Sequence, residues 1–431
     1  MHAQAQARMK EIVLAVLPNL TISDTGYLEI ADLTAELEPL AKYIAKNFDE
    51  WIDVDFLHAY VSVIDAITAQ GLTPGPLGQV STEAQREAIA QSVTDYWAGV
   101  PYTYEFAFQL PALDPFANPV EIAQGVTFKN VLIEQPAPLG IPFLGGGLLG
   151  DAMANEAAPA PPPQQRACLA VSSKGLMQLG FTGGVTDNAA IRRAKIALQL
   201  GMMAGVFDTG PTEGRNFAPV SEAAVSTLQG PLPMSNKIRI PASFGSVLSR
   251  VRRAEGSPPL VETLRPVGAV LTYEDRTGRR PSRNPREIAE AHFARHCARI
   301  ATAAEWLFDA EGEWTPTALV QTAIAFEALY GGSKQDPVVE TLSNRVAYTL
   351  GTSPQAREEL IDSFITFYGT RSKVVHSGAS RLTREQQGHL ARAIAILHQA
   401  FRHELRLVGE GVEILQPVNA DPQAPQQAEP A

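Results

Sequence analysis

Cysteine is nearly absent: the 431 residues hold two, Cys168 and Cys297. Two cysteines so far apart build neither a disulfide framework nor a four-cysteine zinc site, which fits a reducing, cytoplasmic setting. A long apolar run is missing too. No stretch reaches the about 18 consecutive apolar residues of a membrane span, so no membrane partner is expected. The opening MHAQAQARMKEIVLAVLPNL lacks an apolar block followed by a small-residue cleavage site and reads as a mature amphipathic segment. Net positive charge is lacking as well. The formal charge of −11 disfavours indiscriminate nucleic-acid binding over the whole surface. With 45% apolar and 19% charged residues, the composition is that of a globular protein, long enough for two or three cores.

The charge is unevenly spread. Residues 1–60 are acid-rich, whereas residues 237–300 carry thirteen basic residues against six acidic ones. Part of that excess lies in EDRTGRRPSRNPRE, where Arg279, Arg280 and Arg283 form a basic loop. Such a loop is either a candidate RNA-binding element or an ordinary solvated connection.

Hydropathy patterning predicts an α+β chain: a mixed helix-and-strand N-terminal region followed by an all-α bundle. Residues 1–134 begin with helices, since apolar residues recur three and four apart in EIADLTAELEPLAKYIAKNF, WIDVDFLHAYVSVIDAITAQ and STEAQREAIAQSVTDYW. Ser81 or Thr82 caps the last of these. The period then becomes two. In PYTYEFAFQL, Tyr102, Tyr104, Phe106, Phe108 and Leu110 alternate with other residues, the strongest strand signal in the chain. VTFKNVLIE (126–134) reads as its neighbour. Residues 135–167, rich in Pro, Gly and Ala, read as a linker or insertion. Residues 168–283 continue the mixed region, with strands at CLAVSSKGLMQLGF, KIRIPASF and PVGAVLTYE. A helix lies over 188–207, whose Gly201 and Gly205 serve close packing.

From residue 284 to about 410 the punctuation is helical throughout. Asn284-Pro285, Thr315-Pro316, Asp336-Pro337 and Ser353-Pro354 each pair a capping side chain with Pro at the first helical position, and Gly331-Gly332 and Gly351 supply stops. Thr383 with Gln386 opens a last helix to about Leu407. VEIL (412–415) reads as a short strand, and residues 416–431 as a disordered tail.

Within this bundle, FYGTRSKVVHSG places Arg371 and His376 with four residues between them. Upstream lie AFEALYGG with Glu327 and LSNRVAYTLG with Arg345, and Tyr368 stands three residues before the arginine. Over about 285–408 the chain resembles the HEPN superfamily, most closely its Apea-like group. The resemblance implies a helical bundle that works as a homodimer, with Arg371 and His376 catalytic, and Ser372, Glu327, Arg345 and Tyr368 supporting. It implies an endoribonuclease acting on RNA without metal or other cofactor, in phage defence or stress, with the N-terminal region sensing a trigger.

The residue types suit that chemistry. Histidine takes or gives a proton near neutrality, because its unperturbed pKa is about 6.5. Arginine stays charged and grips two phosphate oxygens at once. Geometry restricts the pair, because five helical steps of about 100° set their directions about 140° apart on a straight helix. A common phosphate then requires either a bend near Gly369-Thr370 or two facing copies. The competing reading is structural: His376 complements a helix C-terminus, Arg371 pairs with Glu327, and the bundle is a non-catalytic dimerisation or RNA-binding module. His292 and His296 stand four apart, but residue 293 is Phe, so the zinc-hydrolase pattern is missing and no metal site is expected. His398 and His403 read as surface residues.

Overall fold

The computed structural model describes residues 1–29, 33–52, 55–133, 164–177, 184–209, 218–230, 236–276, 284–331 and 338–415. Residues 135–163 of the linker expected over 135–167, the Asp336-Pro337 start, the Arg279–Arg283 loop and the 416–431 tail lie outside these residues, and 164–167 open the strand Gln164–Gly175 instead of ending a linker. The fold is mixed α+β, with strands in the N-terminal region and a helical C-terminal region. No helix of the described residues is long and apolar enough to cross a membrane.

One six-stranded sheet has the order β4-β5-β6-β3-β8-β9, formed by Val120–Ala123 (β4), Val126–Ile133 (β5), Gln164–Gly175 (β6), Tyr102–Gln109 (β3), Glu222–Gln229 (β8) and Lys237–Arg239 (β9). The contacts group the chain into two units: Met1–Ala107 with Val171–Ile191 and Glu222–Ile240, and Phe108–Ala170 with Arg192–Ser221 and Pro241–Ala431.

The first unit holds helices α1 (Ala3–Val16), α2 (Leu33–Phe48), α3 (Asp55–Thr68), α4 (Leu77–Val80) and α5 (Glu83–Ala98), with a small antiparallel pair of β1 (Thr21–Ile22) and β2 (Gly75–Pro76). Its core is built by the three-and-four spacing: Leu37, Leu40, Ile44, Val63, Ile67, Ile89 and Val93 are buried, as is Trp97. Buried Trp97 satisfies its indole N–H on the Ser62 hydroxyl at 3.1 Å. Thr82 and Gln85 cap α5 reciprocally, as the sequence indicates. Strand β3 buries Tyr102, Tyr104, Phe106 and Phe108, following the period of two, and pairs antiparallel with β8 at Phe106↔Val225.

The second unit holds α7 (Ala242–Leu248), α8 (Leu260–Thr263), α9 (Arg265–Tyr273), α10 (Pro285–Ala310), α11 (Pro316–Tyr330), α12 (Val338–Leu350), α13 (Pro354–Ser377) and α14 (Arg384–Leu415). It also has a short pair of β7 (Phe207–Asp208) and β10 (Arg252–Arg253) and the C-terminal half of α6 (Val185–Met203). Helix α10 packs along α11, α12 along α13, and α14 runs against α9, α10 and α13. Asn284, Thr315 and Ser353 cap α10, α11 and α13 through their side chains, with Pro following each. An aromatic cluster of Phe326, Phe364, Phe367 and Tyr368 fills the core, with Phe326 and Phe364 at 4.8 Å between ring centroids. Of the two glycines expected to serve close packing, Gly201 does so, since a Cβ there would lie 2.7 Å from the Phe207 ring, whereas Gly205 has nothing within 4 Å and instead takes a left-handed φ of 75° just after α6.

Three sequence expectations are corrected. PVGAVLTYE is helix α9, not a strand. Its Val267, Gly268, Ala269, Val270 and Leu271 are all buried, and a short helix buried all round shows no period to distinguish it from a strand. KIRIPASF is a strand only over its first residues before α7 begins. VEIL is the end of α14, which continues past Leu407 because Leu405, Val408 and Val412 keep helical spacing.

Candidate functional site

Helix α13 carries the Arg371/His376 motif, and its ends are locally encoded. The Ser353 hydroxyl accepts the Ala356 amide at 3.1 Å, and Pro354 fills the first helical position. At the other end Gly378 is left-handed at φ 62°, so its amide and that of Ala379 fold back on the Val375 and Val374 carbonyls. Between these ends the helix is unbroken, and the bend that Gly369 could allow is absent. Arg371 and His376 therefore stay about 140° apart in direction and about 7.5 Å apart along the axis.

The two side chains differ in setting. His376 is exposed in the last turn of α13. Arg371 is half-buried, and its Nε is covered with no acceptor. The expected Arg371–Glu327 ion pair is not among those of the described residues. Glu327 instead accepts the Tyr368 hydroxyl at 3.2 Å, a bond that the same hydroxyl shares with the Ala323 carbonyl at 3.3 Å. Burial, reinforced by Glu327, pushes the Tyr368 hydroxyl well above the ordinary tyrosine range. Arg345 turns elsewhere and donates to the Tyr330 carbonyl. Ser372 is exposed. The structure thus joins Tyr368 to Glu327 and leaves Arg345, Ser372 and His376 apart from that pair.

Charge gathers around the motif. Along residues 371–392, from the end of α13 through the turn into α14, Arg371, Lys373, Arg381, Arg384 and Arg392 stand with one acid, Glu385, and the histidines His376 and His389. None of these five cations forms an ion pair among the described residues, and all but Arg371 are exposed. His389 escaped the sequence reading. Its Nδ1 lies 2.8 Å from the Thr370 hydroxyl, which also bonds the Thr366 carbonyl at 2.9 Å. A hydroxyl has one proton, so if Thr370 donates to the carbonyl it accepts from His389 Nδ1–H.

A second polar cluster was also missed. Buried Glu404 of α14 lies with Oε2 3.2 Å from His296 Nε2 of α10, and its Oε1 accepts the buried Tyr330 hydroxyl at 2.8 Å. Burial by itself would raise the Glu404 carboxyl, but the bonds from His296 and Tyr330 outweigh it and hold the group below its ordinary value. One sequence signal could have found it: Glu404 interrupts the buried stripe Leu397, Phe401, Leu405 and Val408. His398 and His403, read as surface residues, are both only half exposed, and His398 lies 3.1 Å from Glu311.

Among the described residues no group of three or more His, Cys, Asp or Glu side chains is placed to hold a metal ion. Compared with protein-family models, curated proteins and solved structures, the chain matches none.

Proposed function

We propose that the chain is a HEPN-type endoribonuclease that cuts RNA without a metal, with Arg371 and His376 as its working groups and the N-terminal region sensing a trigger in phage defence or stress. The observation that carries this reading is the unpaired basic corner around the motif. In a chain of net charge −11, five cations without ion-pair partners among the described residues, spread over the end of α13, the turn and the start of α14, suit a phosphate backbone. Cleavage would proceed by removal of the 2′-OH proton and attack of that oxygen on phosphorus. The bond to the 5′-oxygen then breaks, and that oxygen takes up a proton. His376 can serve either proton transfer, and Arg371 or its neighbours balance the phosphate charge.

The divergence of the two groups on a straight α13 supports a site composed of two facing motifs. A groove of about 520 Å³ between α12 and α13, lined by Val338, Ser343, Ile361 and Ile365, suits such a contact. Phe364, Phe367 and Tyr368 are buried in the core, and Ile365 is the exposed apolar side chain of that stretch. The test is incubation of the purified chain with RNA in EDTA, alongside sedimentation. Cleavage by a dimer supports the reading; cleavage by a strict monomer sinks the composite site.

A second reading is favoured by the half-buried Arg371 with its covered Nε. It makes the bundle a non-catalytic dimerisation or RNA-binding module. A dimer that binds RNA and never cuts it would establish that alternative.

A further inference from the structure

At the C-terminal end of α11 two guanidinium groups are held side by side. Arg299 of α10 donates its Nε to the Ala328 carbonyl at 3.2 Å and its Nη2 to the Gly331 carbonyl at 2.9 Å. Arg345 of α12 donates its Nη1 to the Tyr330 carbonyl between them. Burial, reinforced by the Arg345 charge, lowers the Arg299 guanidinium from its ordinary value. Neither arginine has a carboxylate at ion-pair distance among the described residues. Glu404 acts on Arg299 through space, but its two oxygens face His296 and Tyr330.

Helix capping alone does not call for this arrangement. The end of α12 is served by one arginine, Arg357, bonded to the Gly351 carbonyl at 3.2 Å. Two like charges held together repel, and an anion shared between them would remove that cost. Among the described residues, the donors left over are Nη1 of Arg299 and Nε and Nη2 of Arg345. His296 stands one helical turn before Arg299 on α10, with 34% of its side chain exposed. Its Nε2 is engaged by Glu404, which leaves Nδ1 as the ring's other polar atom.

We infer that Arg299 and Arg345, with His296 beside them, form a binding site for a small phosphomonoester dianion. Forked guanidinium donors match phosphate oxygens in pairs, and two forks on one rigid helix end are already oriented. The dianion is either free inorganic phosphate or the phosphate of a nucleoside monophosphate. The site uses neither Arg371 nor His376 and stands whether or not the chain cuts RNA; Arg345, which the resemblance counts as supporting that motif, bonds the Tyr330 carbonyl instead.

The test is calorimetric titration of the full chain with inorganic phosphate and, separately, with adenosine 5′-monophosphate in a chloride buffer. Saturable binding of at least one is expected. Tighter binding of the nucleotide identifies it as the source; equal or weaker binding identifies the phosphate ion. Arg345→Ala should weaken binding about tenfold or more, the worth of one charged hydrogen bond. Arg357→Ala, which removes the single-arginine cap, should leave affinity unchanged. Arg299→Lys keeps the charge while losing the fork, and should weaken binding even if Arg345→Ala fails to fold. Absence of saturable binding with both probes overturns the inference. So does wild-type affinity in folded Arg345→Ala or in Arg299→Lys.

Discussion

The bundle holds two polar clusters of opposite character. Arg371 and His376 are five residues apart in sequence, yet the helix that joins them turns them away from each other. His296, Arg299, Tyr330, Arg345 and Glu404 come from four helices, yet they meet at one helix end. The first cluster is largely exposed and its cations are unpaired. The second is built on a carboxylate whose side chain is 6% exposed and bonded on both oxygens. A short spacing on a helix is therefore a weak guide to convergence, and a buried acid on an apolar stripe is a strong one.

The clusters should separate most widely in activity. His376→Ala is expected to lower RNA cleavage about 10²- to 10⁴-fold, the usual contribution of a general acid or base, with the melting temperature unchanged. A gel assay in EDTA reads the first and calorimetry the second. Equal cleavage by the variant would remove His376 from the chemistry, and unfolding would favour its helix-end role. Arg371→Lys should also cut activity sharply, because lysine lacks the two-pronged grip; retained activity would reduce Arg371 to diffuse charge.

Stability should respond at the other cluster. Glu404→Ala leaves the buried Tyr330 hydroxyl without its acceptor and is expected to cost about 1–3 kcal/mol in urea unfolding at neutral pH. The sign of the pH dependence follows from the carboxyl, which is held below its ordinary value in the folded chain. Its stabilisation is present above the ordinary carboxylate range, about pH 4–5, and is lost as pH falls through the folded value. The gap between wild type and Glu404→Ala should thus narrow in acid. A gap that widens there would mean that the ionised carboxylate is not what stabilises.

Smaller effects test the helix end that carries the motif. Gly378→Ala forces a side chain into the left-handed region and should cost about 1–2 kcal/mol, although nothing within 4 Å would obstruct the added Cβ. Arg384→Ala probes the basic corner with the least expected change. If it touches one phosphate, the slope of log affinity against log salt for single-stranded RNA should fall by about 0.7. An unchanged slope would place the backbone elsewhere.

Much of this was readable along the chain, for local reasons. Caps at Thr82, Asn284, Thr315, Ser353 and Thr383 depend on a side chain reaching an amide two or three residues away, so sequence alone located them. The alternation in β3 was equally legible, because one strand's burial follows its own pleat. Misreadings occurred where neighbours decide. Helix α9 is buried on so many sides that its period is erased, and α14 passes through Gly409 and Gly411 because helical apolar spacing continues beyond them. Gly369 could have bent α13, but the helix keeps its hydrogen bonds and the motif its divergence.

By itself the sequence determined the helix starts and stops, the mixed region ahead of a bundle, and the Arg371 to His376 spacing. Only the tertiary structure decided that Glu327 bonds Tyr368 rather than Arg371, and that Arg299 and Arg345 meet at the end of α11. Caps and periods are settled within one helical turn. Partners of a polar side chain are settled by which helices pack together, and a buried group must find its partner wherever that packing supplies one.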